Sequence, residues 1–399
     1  MHSANALRVA IAGGGIAGLA SAIFLARDGH RVEVFEKSPG IYAHGTGILL
    51  QPAGIDVLRR LDLETPAFAR GCAIERVVTR ARDGATLMNL RYADLQPELR
   101  ALGIRRPALA GVLHEGARSA GAGIHFDVAI EAISEDGSKV SLIERGAKTH
   151  GPFDLALVCN GLNSRLRDSV ATGAKLRPHA RGVFSVVAPL PASLSSEVLL
   201  QSLNGMRDGV GMLPIGHGEG APSLVSFFWN ARAGDLPHLE AEGYGAWCTY
   251  IEGFCPEAGE LLRSFHGFDA LTWSTTADVT LRRWHGARTL VMGDAAHALN
   301  PQLGLGATMA LLDAQALSEC LSQELRQELH DSGDAVSSAL AAYQARRKPQ
   351  VDRYARVSRI WSRLDGTGFS PLRRRMFLAT ANGFPSLRRR LLKHVCGYA

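Results

Sequence analysis

Six residues near the N-terminus, Gly13-Gly14-Gly15-Ile16-Ala17-Gly18, leave few choices for the fold around them. An apolar run, Leu7–Ala12, precedes them, and Ile16–Asp28 has the length and composition of a helix. Gly29-His30 closes that helix, and Arg31–Glu36 then alternates like a second strand. Parallel strands need a crossover between them, so this order predicts a βαβ unit. Gly13 permits the tight turn, Gly15 lets the backbone approach a pyrophosphate, and Gly18 allows close packing of helix on strand. The helix start at Ile16 and Ala17 offers unpaired N–H groups to the anion. Glu36 ends the second strand eighteen residues after Gly18, where its carboxylate can accept both hydroxyls of an adenosine ribose. Its charge also repels a 2′-phosphate, which points to FAD or NAD at this site and away from NADP.

Two further segments carry the same signature of a strand ending in a glycine turn. Thr289 to Gly306 reads TLVMGDAAHALNPQLGLG: an apolar strand runs into Gly293-Asp294, a loop bearing Pro301 follows, and Gly304-Leu305-Gly306 opens a long helix. Asp294 can hold a polyol hydroxyl, and the N–H groups of Gly304–Ala307 point above the helix start. There the helix dipole would stabilise negative charge on a reduced isoalloxazine. Asp154–Arg167 (DLALVCNGLNSRLR) is a strand that ends in Asn160-Gly161.

These segments, in this order, resemble the single-component (group A) FAD-dependent monooxygenases of the para-hydroxybenzoate hydroxylase type, and within them the ubiquinone-pathway hydroxylases. On that resemblance the dinucleotide fingerprint falls on Gly13, Gly15 and Gly18, the ribose acid on Glu36, and the ribityl motif on Gly293-Asp294. An R-x-x-L pattern matches Arg106 with Leu109, and a Gly-x-Gly-Ile loop matches Gly45-Thr46-Gly47-Ile48, with Gln51 after it. Lys37 and Ile130 are also expected among the FAD contacts. The resemblance implies an α/β fold: a Rossmann-like FAD-binding domain (1–176 and 284–344), an inserted mixed β-sheet substrate domain (177–283), and a basic C-terminal helical region (345–399). It implies FAD as cofactor, NAD(P)H as reductant, and hydroxylation of an aromatic or quinone-like, hydrophobic molecule by O2 through a flavin C4a-hydroperoxide.

Two departures from the family pattern matter. The third motif reads Asn160-Gly161 where the family has Asp-Gly. An amide carbonyl still accepts a hydrogen bond, so FAD binding is expected to survive, whereas direct reduction by NAD(P)H is the property the lost charge touches. Leu305 stands where relatives carry a polar residue, which suggests an apolar flavin floor. The alternatives are a flavin-dependent reductase or dehydrogenase on the same fold, or a flavoprotein that takes electrons from a separate flavin reductase. A halogenase is disfavoured, because the W-x-W-x-I-P signature is absent. No catalytic side chain follows from the motifs. His44 and His297 lie beside flavin loops as candidates to tune a phenolic proton, and the alternation of the inserted strands nominates Met212, Phe227 and Trp229 as substrate contacts.

The net charge of +6 hides a split. From Ala345 onward the chain has 14 Lys+Arg and two acids, a net of +12, so residues 1–344 carry 30 − 36 = −6. The basic excess is therefore separate from the cofactor motifs. Arg353, Arg356, Arg359 and Arg363 stripe one helix face, expected to dock on the acidic body, with an anionic membrane surface or an acidic carrier as the alternative partner. Nucleic acid is not expected, since no aromatics interleave the basic clusters. The six scattered cysteines show no metal-ligand spacing and suit reduced thiols in a cytoplasmic protein, with peripheral attachment to a membrane as the alternative. Three glycines interrupt the uncharged stretch Val9–Ala26, so neither an export signal nor a span is expected.

Overall fold

The computed structural model describes residues 6–41, 46–171, 173–204, 208–216, 223–300, 304–327, 334–364 and 385–398. At its centre is a five-stranded parallel sheet in the order Thr289–Val291, Leu155–Val158, Arg8–Ala12, Arg31–Phe35, Gly123–His125. Leu155–Val158 is buried along its whole length, as expected of a strand covered on both faces. Helix Ile16–Arg27 lies between helices Arg106–Ser119 and Gly306–Gln327, which is why it is apolar nearly all round and buries Ala17 through Ile23 and Leu25. The run Ile124–Ser134 is not one strand. Asp127 takes a positive φ of 59°, and the chain leaves the parallel sheet there. It re-enters at Ile130–Asp136 as the edge of a three-stranded antiparallel sheet with Lys139–Glu144 and Thr149–Phe153.

A second, seven-stranded mixed sheet runs Thr272–Thr280, Lys175–Pro189, Leu224–Arg232, Asp208–Pro214, Val198–Asn204, Arg76–Ala81, Thr86–Arg91. The segment 177–283 supplies most of it, but Arg76–Ala81 and Thr86–Arg91 come from well before that segment. The sheet therefore does not follow the expected division of the chain. Strand pairing also fixes which side chains share a face. Val210, Met212, Phe227 and Trp229 point with Phe184 to one side, where helices Tyr244–Glu252 and Pro256–Arg263 cover them. Trp229 stacks on Phe184 with ring centroids 5.8 Å apart and meets Trp247 at 5.3 Å.

Met212, Phe227 and Trp229 are thus not substrate contacts. They are 0–2% exposed, in a core that faces away from the flavin loops. The alternation was legible, but its phase was not, because a period of two does not say which face is outermost. If Trp229 is only a core residue, Trp229→Ala should cost about 3–5 kcal/mol in denaturant unfolding while the folded protein keeps its affinity for FAD and substrate. A selective rise in substrate KM with unchanged stability would restore the discarded role.

Helix Ala335–Leu364 spans 30 residues and runs through the expected boundary at 345. Its first basic residues do dock: Arg346 pairs with Glu319 at 2.6 Å and Arg347 with Asp313 at 2.8 Å. Arg353, Arg356 and Arg359 are exposed, and Arg363 lies where side chains are not described. A last helix, Pro385–Val395, packs on this one through Tyr354 and His394, whose rings are 4.5 Å apart. The six cysteines are free. Among the described residues no helix is long and apolar enough to cross a membrane, and no cluster of metal-ligating side chains occurs.

Candidate active site

Four of the expected cofactor-binding positions follow strands of the parallel sheet at its carboxyl edge: Gly13 after Ala12, Glu36 after Phe35, Asn160-Gly161 after Val158, and Gly293-Asp294 after Val291. Open α/β sheets bind their ligands at this edge. Gly13 has φ +112°, and a Cβ on it would lie 2.6 Å from the carbonyl oxygen of Cys159. The first and third motifs therefore touch, backbone on backbone. A Cβ on Gly18 would overlap the carbonyl oxygen of Gly13, which is the packing role expected of it. One on Gly293 would lie 3.0 Å from Ala17 Cβ, and one on Gly306 3.8 Å from an Asp294 carboxylate oxygen. Four separated stretches of sequence thus meet around one cleft.

The residues fit FAD. Gly15 has nothing within 4 Å of where a Cβ would stand, so the space above the helix start is open. Gly15 is the N-cap and no side chain caps this helix, which leaves first-turn N–H groups for a pyrophosphate. Asn160 Oδ1 is buried and has no hydrogen-bond partner among the described residues. Gly15, Ile16, Gly47, Ile48, Ile130, Asn160, Gly161, Asp294, Gly304 and Ala307 are partly exposed, and Lys37, Arg106 and Gly306 are exposed. Ile130 follows Val128, whose N–H donates to the Glu36 carbonyl. Pro301 and His44 lie outside the described residues.

Three expected contacts play different parts. Glu36 is 4% exposed, and its two carboxylate oxygens accept the N–H groups of Gly14 (2.7 Å) and Ser38 (2.9 Å). It therefore shapes the glycine loop as well as offering its remaining lone pairs to a ribose. Gln51 is 1% exposed, and its Oε1 accepts the Tyr92 hydroxyl at 2.8 Å, so this oxygen is engaged within the protein. Leu305 is 4% exposed and turned into the core, so it does not make the floor apolar.

His297 is not a proton-tuning residue either. It is 6% exposed, and its Nε2 is 2.6 Å from Asp313 Oδ2. Asp313 also accepts the Gly293 N–H at 3.1 Å and Arg347 Nε at 2.8 Å. Arg347 in turn donates to the Met309 carbonyl at 3.3 Å. This fully buried carboxylate sets the turn that presents Asp294. Its signal in the sequence was an acid on the apolar face of helix Gly306–Gln327, a place where an unpaired charge is costly.

Burial alone would raise the Asp313 carboxyl's pKa, but His297 and Arg347 outweigh it and hold the group at about 2. The stability from this pairing is therefore present above the unfolded aspartate's pKa of about 3.9, and is lost as the pH falls towards 2. Asp313→Asn should lower unfolding stability at neutral pH by about 3–5 kcal/mol, because Arg347 is left buried without its counter-charge. The difference from the natural chain should shrink below about pH 4. An unchanged denaturation midpoint at pH 7 would refute this account.

A family model described as "FAD binding domain" matches residues 6–358. A probable 2-heptyl-3-hydroxy-4(1H)-quinolone synthase of Rhodococcus erythropolis is 29% identical over 87% of this chain and 86% of its own. An aurachin C monooxygenase/isomerase of Stigmatella aurantiaca is 28% identical over 85% and 84%. Among solved structures, Pseudomonas aeruginosa PqsL with 2-aminobenzoylacetate superposes with a TM-score of 0.80 over 95% of this chain and 100% of its own, at 22% identity. Klebsiella pneumoniae HpxO with FAD and uric acid does so at 0.78, over 98% and 96%, at 21% identity. These last two likenesses establish the fold. The cleft built by the glycine turns and the match along nearly the whole chain lead to one conclusion: the protein belongs to the group A FAD-dependent aromatic monooxygenases.

Proposed function

We propose that this monooxygenase hydroxylates a fused nitrogen-heteroaromatic ring carrying an apolar chain, of the alkylquinolone kind. One observation carries the reading: on the face of the seven-stranded sheet turned from the Trp229 core, amides and apolar side chains remain partly exposed beside the part that packs on Leu49 and Tyr92. Val183, Gln201, Leu203, Phe228 and Asn230 share that face, and each is half-buried while its neighbours along the strand point the other way. The same face reaches the flavin side, where Ser226 Oγ accepts the Gly47 N–H at 3.0 Å.

FAD, when bound, supplies the electron transfer and the activation of O2. The chain's own residues bind and orient the ring and keep water out. Gln201 Oε1 accepts the Thr79 hydroxyl at 3.1 Å, so its NH2 group is the end on offer to a ring carbonyl. Asn230 can meet a ring N–H from the neighbouring strand, and Phe228, Val183 and Leu203 suit the apolar portion. The quinolone named for the Rhodococcus relative has this mixture of groups.

The exposed Arg353, Arg356, Arg359, Arg389 and Arg390 support a further element of the reading, weak attachment to an anionic membrane surface from which an apolar substrate could be drawn. Asn160 supports a second reading of the electron supply. With no carboxylate at that turn, electrons could come from a separate flavin reductase.

FAD-loaded protein with NADH or NADPH should consume reductant faster with 2-alkyl-4-quinolones than with hydroxybenzoates, and one 18O from 18O2 should appear on the ring. Coupling to hydroxybenzoates alone would overturn the substrate class. Gln201→Leu should raise KM for the quinolone about tenfold and leave kcat nearly unchanged, because one hydrogen bond to bound substrate is lost. If the lost charge limits direct reduction, Asn160→Asp should accelerate anaerobic reduction in stopped flow. Equal rates would remove the argument for a separate donor.

A further inference from the structure

Helix Pro52–Arg60 begins directly after strand Gly47–Leu50, one of the elements lining the flavin cleft, and its start is poorly satisfied from within. Its N-cap, Gln51, makes no side-chain capping bond, because that side chain is engaged with Tyr92. The first helical residue is Pro52, so Ala53 is the first residue with an N–H to place.

The partner comes from the far end of the chain. Helix Pro385–Val395 ends in a Schellman turn: Tyr398 N–H donates to the Lys393 carbonyl, Gly397 N–H donates to the His394 carbonyl, and Gly397 has φ +87°. The Cys396 carbonyl, pushed inward by this turn, accepts the Ala53 N–H at 3.0 Å. Cys396 is 0% exposed, in a cluster with Leu49, Tyr92 and Leu213 that lies between the cleft strand and the seven-stranded sheet. Gly397 is pressed so closely that a Cβ on it would stand 2.9 Å from Ala53 Cβ and 3.1 Å from Thr308 Cγ2. Thr308 Oγ1 accepts the Gln51 N–H at 3.1 Å, and Thr308 lies two residues past Gly306 on the helix whose start forms the flavin floor. Tyr398 completes the contact, its hydroxyl donating to Asp56 Oδ2 at 2.6 Å.

We propose that Cys396, Gly397 and Tyr398 are positioning residues of the flavin site. The C-terminal turn caps helix Pro52–Arg60 in place of a local side chain, and through Gln51 and Thr308 it holds the cleft strand against the floor helix. The residues touch no ligand. They act by fixing two of the elements that do. This inference rests on the FAD assignment.

Full-length protein, Gly397→Ala, Tyr398→Phe and a chain ending at Val395 are compared, with Arg390→Ala as a control on the solvent side of the same helix. FAD affinity is read by flavin fluorescence, and the flavin environment by visible circular dichroism of the loaded protein. Gly397→Ala and the truncation should weaken FAD binding about tenfold, and Tyr398→Phe about threefold, as expected for losing a close contact or one exposed hydrogen bond. All three should alter the visible dichroism, and Arg390→Ala should change neither affinity nor dichroism. If the truncated chain fails to fold, the two point variants decide. Unchanged affinity and dichroism in Gly397→Ala and Tyr398→Phe overturn the proposal. A full-length chain that binds no FAD would instead sink the flavin assignment on which it rests.

Discussion

The buried carboxylate of Asp313 is the interaction on which the architecture leans. It lies on helix Gly306–Gln327, accepts from Arg347 on helix Ala335–Leu364, contacts His297 after the last parallel strand, and takes the Gly293 N–H. Desolvating one carboxylate and one guanidinium is expensive, and the attraction between them returns that cost only when the remaining lone pairs are also used. Here both oxygens are engaged and the carboxyl is held at about 2, so the charge is stable at any ordinary pH. The result is a turn at Gly293-Asp294 fixed by charge from beneath, with Asp294 partly exposed.

Around that anchor the cleft is built largely from backbone. Gly13 meets Cys159 and Asn160, and Gly18 meets Gly13, at distances that side chains would forbid. A surface of N–H groups at a helix start recognises an anion without any charged side chain. This explains why the acidic part of the chain can hold a dinucleotide, and why the basic excess collects elsewhere, on the two C-terminal helices.

Much of this was legible in advance, and the reasons are local. The turn at Gly13–Gly18 is dictated by conformations and close approaches open only to glycine, and strands such as Leu155–Val158 announce themselves by unbroken apolar runs. Roles that depend on remote partners were not legible. Gln51 and His297 sit in flavin motifs, yet Tyr92 and Asp313 turn them inward. Met212, Phe227 and Trp229 were nominated from a true alternation in the wrong phase. Only the helices laid over one face of the sheet decide that Trp229 is buried while Phe228 and Asn230, on the other face, stay partly exposed.

The sequence by itself determined the βαβ unit, the three strand-and-glycine-turn segments, the separation of an acidic body from a basic tail, and the family these imply. Those properties are written in contiguous residues, where backbone sterics, strand and helix periodicity and summed charge act over short distances. Tertiary structure alone decided which face of the second sheet is open, that Arg76–Arg91 shares that sheet, which acid anchors Gly293, and that Cys396 caps a helix more than three hundred residues away. Each of these is a pairing across long sequence separations, and a buried group's partner is settled by what the packed chain brings within hydrogen-bond reach.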